Sequence, residues 1–395
     1  MSKKIYLSSP TMNGEEMKFI QEAFDTNWVA PLGANVNGFE NDICNYIGIE
    51  QAVAMTTGTG AIHMALRYLG INEGDIVFCS SLTFSATCNP IIYQNATPVF
   101  IDSELETWNM CPIALEKAFQ KYTPKAVIVV HLYGTPAKMN EIMEICEKYG
   151  VPLIEDAAES LGATYKGLQT GTFGRFGIFS FNGNKIITTS GGGMLVCHEK
   201  SEKEKITKWI TQSRDEARHY QHSELGYNYR MSNICAGIGR GQMLTLDERI
   251  QQKTEIYCFY KEAFNDIPVI QMNPINEDGI PNHWLSCLTI SVESKVNPID
   301  IMIALENENI ECRPIWKPMN LQPYFERYDF IGQNENCESV CERIFKSGLC
   351  LPSDVKMTED ERNKVVTIVR SFFNKKVAGG EICTENTSKD QRIFS

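Results

Sequence analysis

A chain of 395 residues is too long for one ordinary core and predicts two domains, or one domain with a sizeable appendage. Hydrophobic residues at 43% and charged residues at 22% lie near average globular usage, which excludes a disordered or fibrous chain. A net charge of -12 argues against general affinity for nucleic acid or anionic membranes, which need a basic surface.

The first ten residues carry two lysines but no apolar stretch or small-residue cleavage site, and no apolar run approaches membrane-spanning length, so a cytoplasmic protein is expected. Short apolar runs at 52–55, 76–79, 98–101, 126–130 and 151–154 then alternate with helical patterns. These runs are continuous rather than alternating, as strands covered by helices on both faces should be, so the fold class is α/β with a mostly parallel central sheet. Thr57-Gly58-Thr59-Gly60 falls directly beyond the first run and opens a helical stretch over 61–69. A phosphate cradled there would meet backbone N–H groups and the positive end of a helix dipole.

Two further strand-like segments, 177–181 and 194–197, flank a Gly- and Asn-rich turn. One long helix is expected over 233–264, followed by shorter strands and helices. The predicted division is a large domain at 1–250 that includes the N-terminal segment, a small C-terminal α+β domain at 251–376, and a disordered tail at 377–395. Fourteen cysteines at irregular spacing, with no Cys-x-x-Cys pair, suit reduced core thiols.

Lys185 lies in the turn between those two segments, ahead of the triplet Gly191-Gly192-Gly193, and Asp156 lies twenty-nine residues upstream, just past the end of the fifth run. Ligands of open α/β sheets bind at that carboxyl edge. A lysine that forms a Schiff base with an aldehyde, and a carboxylate that keeps a pyridine nitrogen protonated, are what pyridoxal phosphate chemistry requires. Lysine is usually a solvated surface charge, but the glycine triplet and the upstream aspartate shift the balance here. Ser180 is placed to donate to the cofactor phosphate, and Phe84 to stack on its ring. Arg230, Arg313 and Lys317 are candidate cations for anion recognition. His219 and His222 have an HxxH spacing, but no acidic or cysteine partner completes a site, so no metal is expected.

With these residues in hand, the chain resembles the DegT/DnrJ/EryC1/StrS family of sugar aminotransferases over nearly its whole length, tail excepted. The similarity is carried by the segments 57–66, 155–160, 180–194 and Gly226-Tyr227-Asn228-Tyr229-Arg230-Met231-Ser232-Asn233. Asn27-Trp28-Val29-Ala30-Pro31-Leu32-Gly33, His131-Leu132-Tyr133-Gly134 and Arg313-Pro314-Ile315-Trp316-Lys317-Pro318 also match. Asn182, and Ser190-Gly191 in place of Gly-Glu, resemble the branch that aminates UDP-4-keto-6-deoxy-N-acetylhexosamines for bacillosamine-type sugars and exopolysaccharide.

The resemblance implies a fold type I pyridoxal-phosphate enzyme, a homodimer whose sites are completed by the partner, with L-glutamate as amino donor. Lys185 would be the Schiff-base lysine, Asp156 the partner of the pyridine nitrogen, Glu159 a neighbour of the ring hydroxyl and Phe84 the cover of the ring face. Gly58, Thr59 and Ser180 would hold the phosphate, with Asn228 reaching it from the neighbouring subunit. Asn27, Trp28, Arg230, Arg313, Trp316 and Lys317 are the expected substrate contacts. Sugar dehydratases on the same scaffold have histidine in place of the lysine, so Lys185 argues for amination. The alternatives are a dTDP-linked 3- or 4-keto sugar as substrate, and a non-catalytic regulator on the same fold.

Overall fold

The computed structural model describes residues 3–333 and 338–373; the expected tail at 377–395 lies outside them. A large sheet holds the strands in the spatial order Gln51–Met55, Gly193–Cys197, Phe176–Ser180, Leu153–Asp156, Ala126–Val130, Ile76–Ser80, Thr97–Ile101 and Phe330–Ile331. All five apolar runs read from the sequence fall on strands of it, the fifth shifted to Leu153–Asp156 so that Asp156 ends the strand rather than following it. They are continuous because both faces are covered: Ala126–Val130 is buried at every position, between a core around Val53, Met64 and Phe176 and another around Phe78, Leu115 and Ile142.

One strand runs against the rest. Gly193–Cys197 is antiparallel to both of its neighbours, while every other pairing in the sheet is parallel. This reversal brings the start of that strand to the edge where the others end, so Gly193 pairs with both Met55 and Ser180. The glycine triplet therefore reaches the same carboxyl edge as Asp156 and the Thr57–Gly60 turn.

The expected single helix over 233–264 is two helices, Asn233–Met243 and Leu246–Ala263. The break has a local cause. The Asn13 amide donates to the Gly241 carbonyl at 2.8 Å and to the Thr245 hydroxyl at 2.9 Å, while Leu244 N bonds back to the same carbonyl in a tightened last turn. Leu246 then enters the core beside the large sheet, whereas Ile256, Tyr257 and Tyr260 enter a second core with Ile301, Leu305, Val365 and Val369.

That second core backs a four-stranded antiparallel sheet of Ile270–Met272, Cys287–Ile290, Gly348–Cys350 and Arg313–Pro314. Two connections cross the sequence boundary expected near residue 250. Ile5 lies in the second core and pairs with Ile310, and Phe330–Ile331 adds an edge strand to the large sheet beside Thr97–Ile101. The cysteines among the described residues are free, and most are buried.

Candidate active site

The carboxyl edge of the large sheet opens into a cavity of about 310 Å³. Lys185, Asp156, Glu159, Gly58, Thr59, Ser180, Phe84 and Trp316 all line it, so most of the sequence-predicted residues converge on one space.

Lys185 sits on a loop that extends the antiparallel strand pair. Phe181 N bonds Gly192 O at 2.9 Å, Thr189 N bonds Phe181 O at 3.0 Å, and a tight turn sets Lys185 N on Asn182 O at 3.0 Å. Its side chain is 14% exposed, with Nζ 3.7 Å from Glu159 Oε1 and 4.1 Å from the centre of the Trp284 ring. An amine held by one carboxylate and one aromatic face is fixed at the cavity wall yet free to react.

Two buried carboxylates face this one amine. Asp156 Oδ2 accepts the Thr87 hydroxyl at 2.7 Å and its Oδ1 accepts Ala158 N at 3.2 Å. Glu159 Oε2 accepts Tyr133 N at 2.7 Å. Burial pushes both carboxyls above the usual range, and the charge of Lys185, together with these hydrogen bonds, opposes the shift. Two carboxylates against one cation leave room at this wall for a second positive group.

The glycine-lined wall of the cavity follows from the reversed strand. A Cβ at Gly193 would lie 2.3 Å from Gly58 N and 2.4 Å from the Thr57 carbonyl carbon, so only glycine lets the helix Gly58–Tyr68 begin against it. Thr57 caps that helix by accepting Gly60 N at 2.9 Å, which leaves the N–H groups of Gly58 and Thr59 without intrahelical acceptors at the cavity wall beside Ser180. The glycine triplet does more than make room for a ligand. A Cβ at Gly192 would strike the Thr189 hydroxyl at 2.2 Å, so Gly192 and Gly193 serve chain packing and Gly191 alone faces open space.

Phe84 and Trp316 form the mouth, their ring centres 5.5 Å apart, and Phe84 is 54% exposed. Of the expected substrate contacts, Trp316 alone lines this cavity. Asn27 and Trp28 lie exposed after the first helix, Arg313 pairs with Glu311 at 2.7 Å, and Lys317 does not line the cavity. Arg230 departs furthest from expectation. Its guanidinium is 11% exposed and bonded to Glu40 and to the Ala54 carbonyl, so an internal carboxylate occupies it. Arg230→Ala should therefore destabilise the protein by about 1–3 kcal/mol, the usual cost of leaving a buried group short of a partner, and leave the substrate KM unchanged. Thermal melting with steady-state kinetics decides; a raised KM at wild-type stability would return Arg230 to the substrate site.

Asn228 is exposed and does not line this chain's cavity. His219 and His222 bond to the Gln221 side chain and the Gln212 carbonyl. Three contributors carried no assigned role in the sequence. Thr87 holds Asp156, and Trp284 meets Lys185. Tyr133, in a left-handed conformation at φ 52°, donates its N–H to Glu159, stacks on Trp316 and accepts Trp316 N on its hydroxyl at 2.9 Å. A left-handed tyrosine ahead of Gly134 leaves no trace in periodicity, and Trp284 comes from the second sheet's approach loop.

The model of the DegT/DnrJ/EryC1/StrS aminotransferase family matches residues 10–370. Over 379 residues the chain is 53% identical to EpsN of Bacillus subtilis (strain 168), whose name provisionally assigns it as a pyridoxal phosphate-dependent aminotransferase; the match covers 95% of this chain and 97% of EpsN. It is 35% identical to the GDP-perosamine synthase of Escherichia coli O157:H7 over 95% of this chain and all of that protein. The crystal structure of a DegT DnrJ EryC1 StrS aminotransferase from Brucella abortus superposes with a TM-score of 0.83 at 26% identity, covering 91% of this chain and 96% of that one. The chain belongs to the DegT/DnrJ/EryC1/StrS aminotransferase family, whose sugar aminotransferases use pyridoxal phosphate on the fold described above.

Proposed function

We propose that this aminotransferase moves the amino group of L-glutamate to the C4 ketone of a UDP-linked 2-acetamido-4-keto-2,6-dideoxyhexose, in the synthesis of an amino sugar for a surface polysaccharide or glycan. The observation that carries the chemical part is the convergence of one amine, Lys185, and two buried carboxylates, Asp156 and Glu159, beside a helix N-terminus at the sheet edge. The bound cofactor supplies an aldehyde for nitrogen exchange and an electron sink for the reacting carbon.

Each residue then has a task. Gly58, Thr59 and Ser180 would bind the phosphate, Asp156 would hold a proton on the ring nitrogen, and Glu159 would serve the ring hydroxyl. Phe84 covers the ring face. The Lys185 amine would take and return the proton at the reacting carbon in both half-transfers. Asn228 is assigned to the phosphate of a neighbouring subunit in a homodimer. Supporting that assembly, Met17, Phe24, Trp28 and Leu32 are all more than half exposed in the N-terminal segment, a density of apolar surface that marks interaction sites.

The UDP nucleotide rests on the sequence resemblance. A GDP-linked substrate is favoured by a separate observation, the 35% identity to a GDP-perosamine synthase. Incubation with L-glutamate and UDP-, GDP- and dTDP-linked 4-keto-6-deoxy sugars, read by product mass and 2-oxoglutarate release, separates these readings. Amination of the UDP sugar with the highest kcat/KM is the expected result. Preference for another nucleotide would replace the substrate, and no amination with any of them would favour a non-catalytic regulator.

A further inference from the structure

The peptide bond that precedes Lys185 is held from two sides. Its carbonyl oxygen, on Asn184, accepts the Trp284 indole N–H at 2.7 Å and the Ser8 hydroxyl at 3.0 Å. A hydroxyl rotates freely unless its own oxygen is also engaged, and Lys253 Nζ donates to it at 3.1 Å. Lys253 is 4% exposed, and its remaining contact is the Ser353 carbonyl at 2.6 Å. The Ser353 hydroxyl in turn accepts Ser286 N at 2.9 Å, two residues beyond Trp284. One buried amine thus braces both supports of the Asn184 carbonyl, Ser8 directly and Trp284 through the 284–286 loop.

A buried lysine is a costly way to fill a core, where leucine or methionine packs without desolvating a charge. Burial pushes the Lys253 ammonium down to about 7, opposed by Asp354 and aided by Arg249 one turn earlier. Two acceptors, the Ser8 hydroxyl and the Ser353 carbonyl, fix the direction of the amine. Lys253 also sits midway along the helix Leu246–Ala263, whose start packs in the core beside the large sheet and whose end packs in the second core.

We propose that Lys253 is a positioning residue: through Ser8 and the Ser353 loop it fixes the Asn184–Lys185 peptide and so holds the Lys185 amine against Trp284 and Glu159. This role rests on Lys185 being the residue that bonds the cofactor.

The test uses the full-length protein with Ser8→Ala, Ser8→Thr, Lys253→Met and the Ser8→Ala/Lys253→Met double variant. Three readouts apply: hydrogen exchange of amides 183–189 in the cofactor-free protein, the pyridoxal phosphate dissociation constant, and the lysine labelled by borohydride reduction. Ser8→Ala and Lys253→Met should each speed exchange in that loop, leave the Thr97–Ile101 strand unaltered, and weaken cofactor binding about 10-fold, the scale at which outer supports of a site act. The double variant should bind no more weakly than Lys253→Met, because the two act in series. Ser8→Thr, which restores the hydroxyl, should restore both readouts, and the Ser8 pair alone decides if Lys253→Met does not fold. Label on Lys185 with unchanged exchange and affinity in Ser8→Ala, or single-variant effects that multiply, would overturn the positioning role alone. Label on another lysine would overturn the cofactor assignment and the positioning role with it.

Discussion

Replacing Lys185 with alanine should abolish the visible absorbance of lysine-bound cofactor and cut turnover by about 10⁴-fold or more, since general acid–base loss alone accounts for 10²–10⁴ and the covalent attachment is lost as well. The fold should persist. Lys185 lies on a loop at the cavity wall, and truncation removes its contacts with Glu159 and the Trp284 ring without touching the apolar clusters that hold the sheet. It does remove the cation that opposes the upward push of burial on Glu159. The Glu159 carboxyl should then rise further and take up a proton nearer neutrality. Melting curves, absorbance and single-turnover rates check the three parts, and wild-type turnover in the variant would remove Lys185 from the chemistry.

Asp156→Asn should keep the cofactor covalently attached yet slow both half-transfers by about 10²–10⁴-fold, because an amide beside the ring nitrogen no longer favours its protonated form. The same change has the opposite sign for the cofactor-free protein. The Asp156 carboxyl is raised in the folded state, so the fold binds this proton more tightly than the unfolded chain does. Its contribution is present in full below the unfolded carboxylate range and is lost as pH rises through the folded value. Above that folded value the cofactor-free wild type carries a desolvated charge that asparagine lacks. There the cofactor-free variant should melt no lower than wild type. Equal half-transfer rates in variant and wild type would contradict the role given to Asp156.

Much of the site was legible because its chemistry sits where local signals are strongest. Ala126–Val130 reads as a covered strand from its unbroken apolar run, and Thr57–Gly60 reads as a turn opening a helix because it is glycine-rich and follows a strand, although the helix begins at Gly58 rather than at 61. Lys185 stood out through a turn composition that surface lysines rarely have. What stayed hidden depends on contacts between distant segments. Arg230 looked available because Glu40, 190 residues earlier, leaves no local mark on it. The helix break at Leu244 requires Asn13, and the Lys185 support requires Ser8, Trp284 and Lys253 from three different segments. The reversed strand was legible as a strand but not as reversed, so the packing roles of Gly192 and Gly193 could not be separated from the open position of Gly191.

The most direct test of the central claim is to saturate the purified protein with pyridoxal phosphate, reduce it with borohydride and map the modified peptide by mass spectrometry. A single phosphopyridoxyl group on Lys185 is predicted; modification of a different lysine, or none at all, would contradict it.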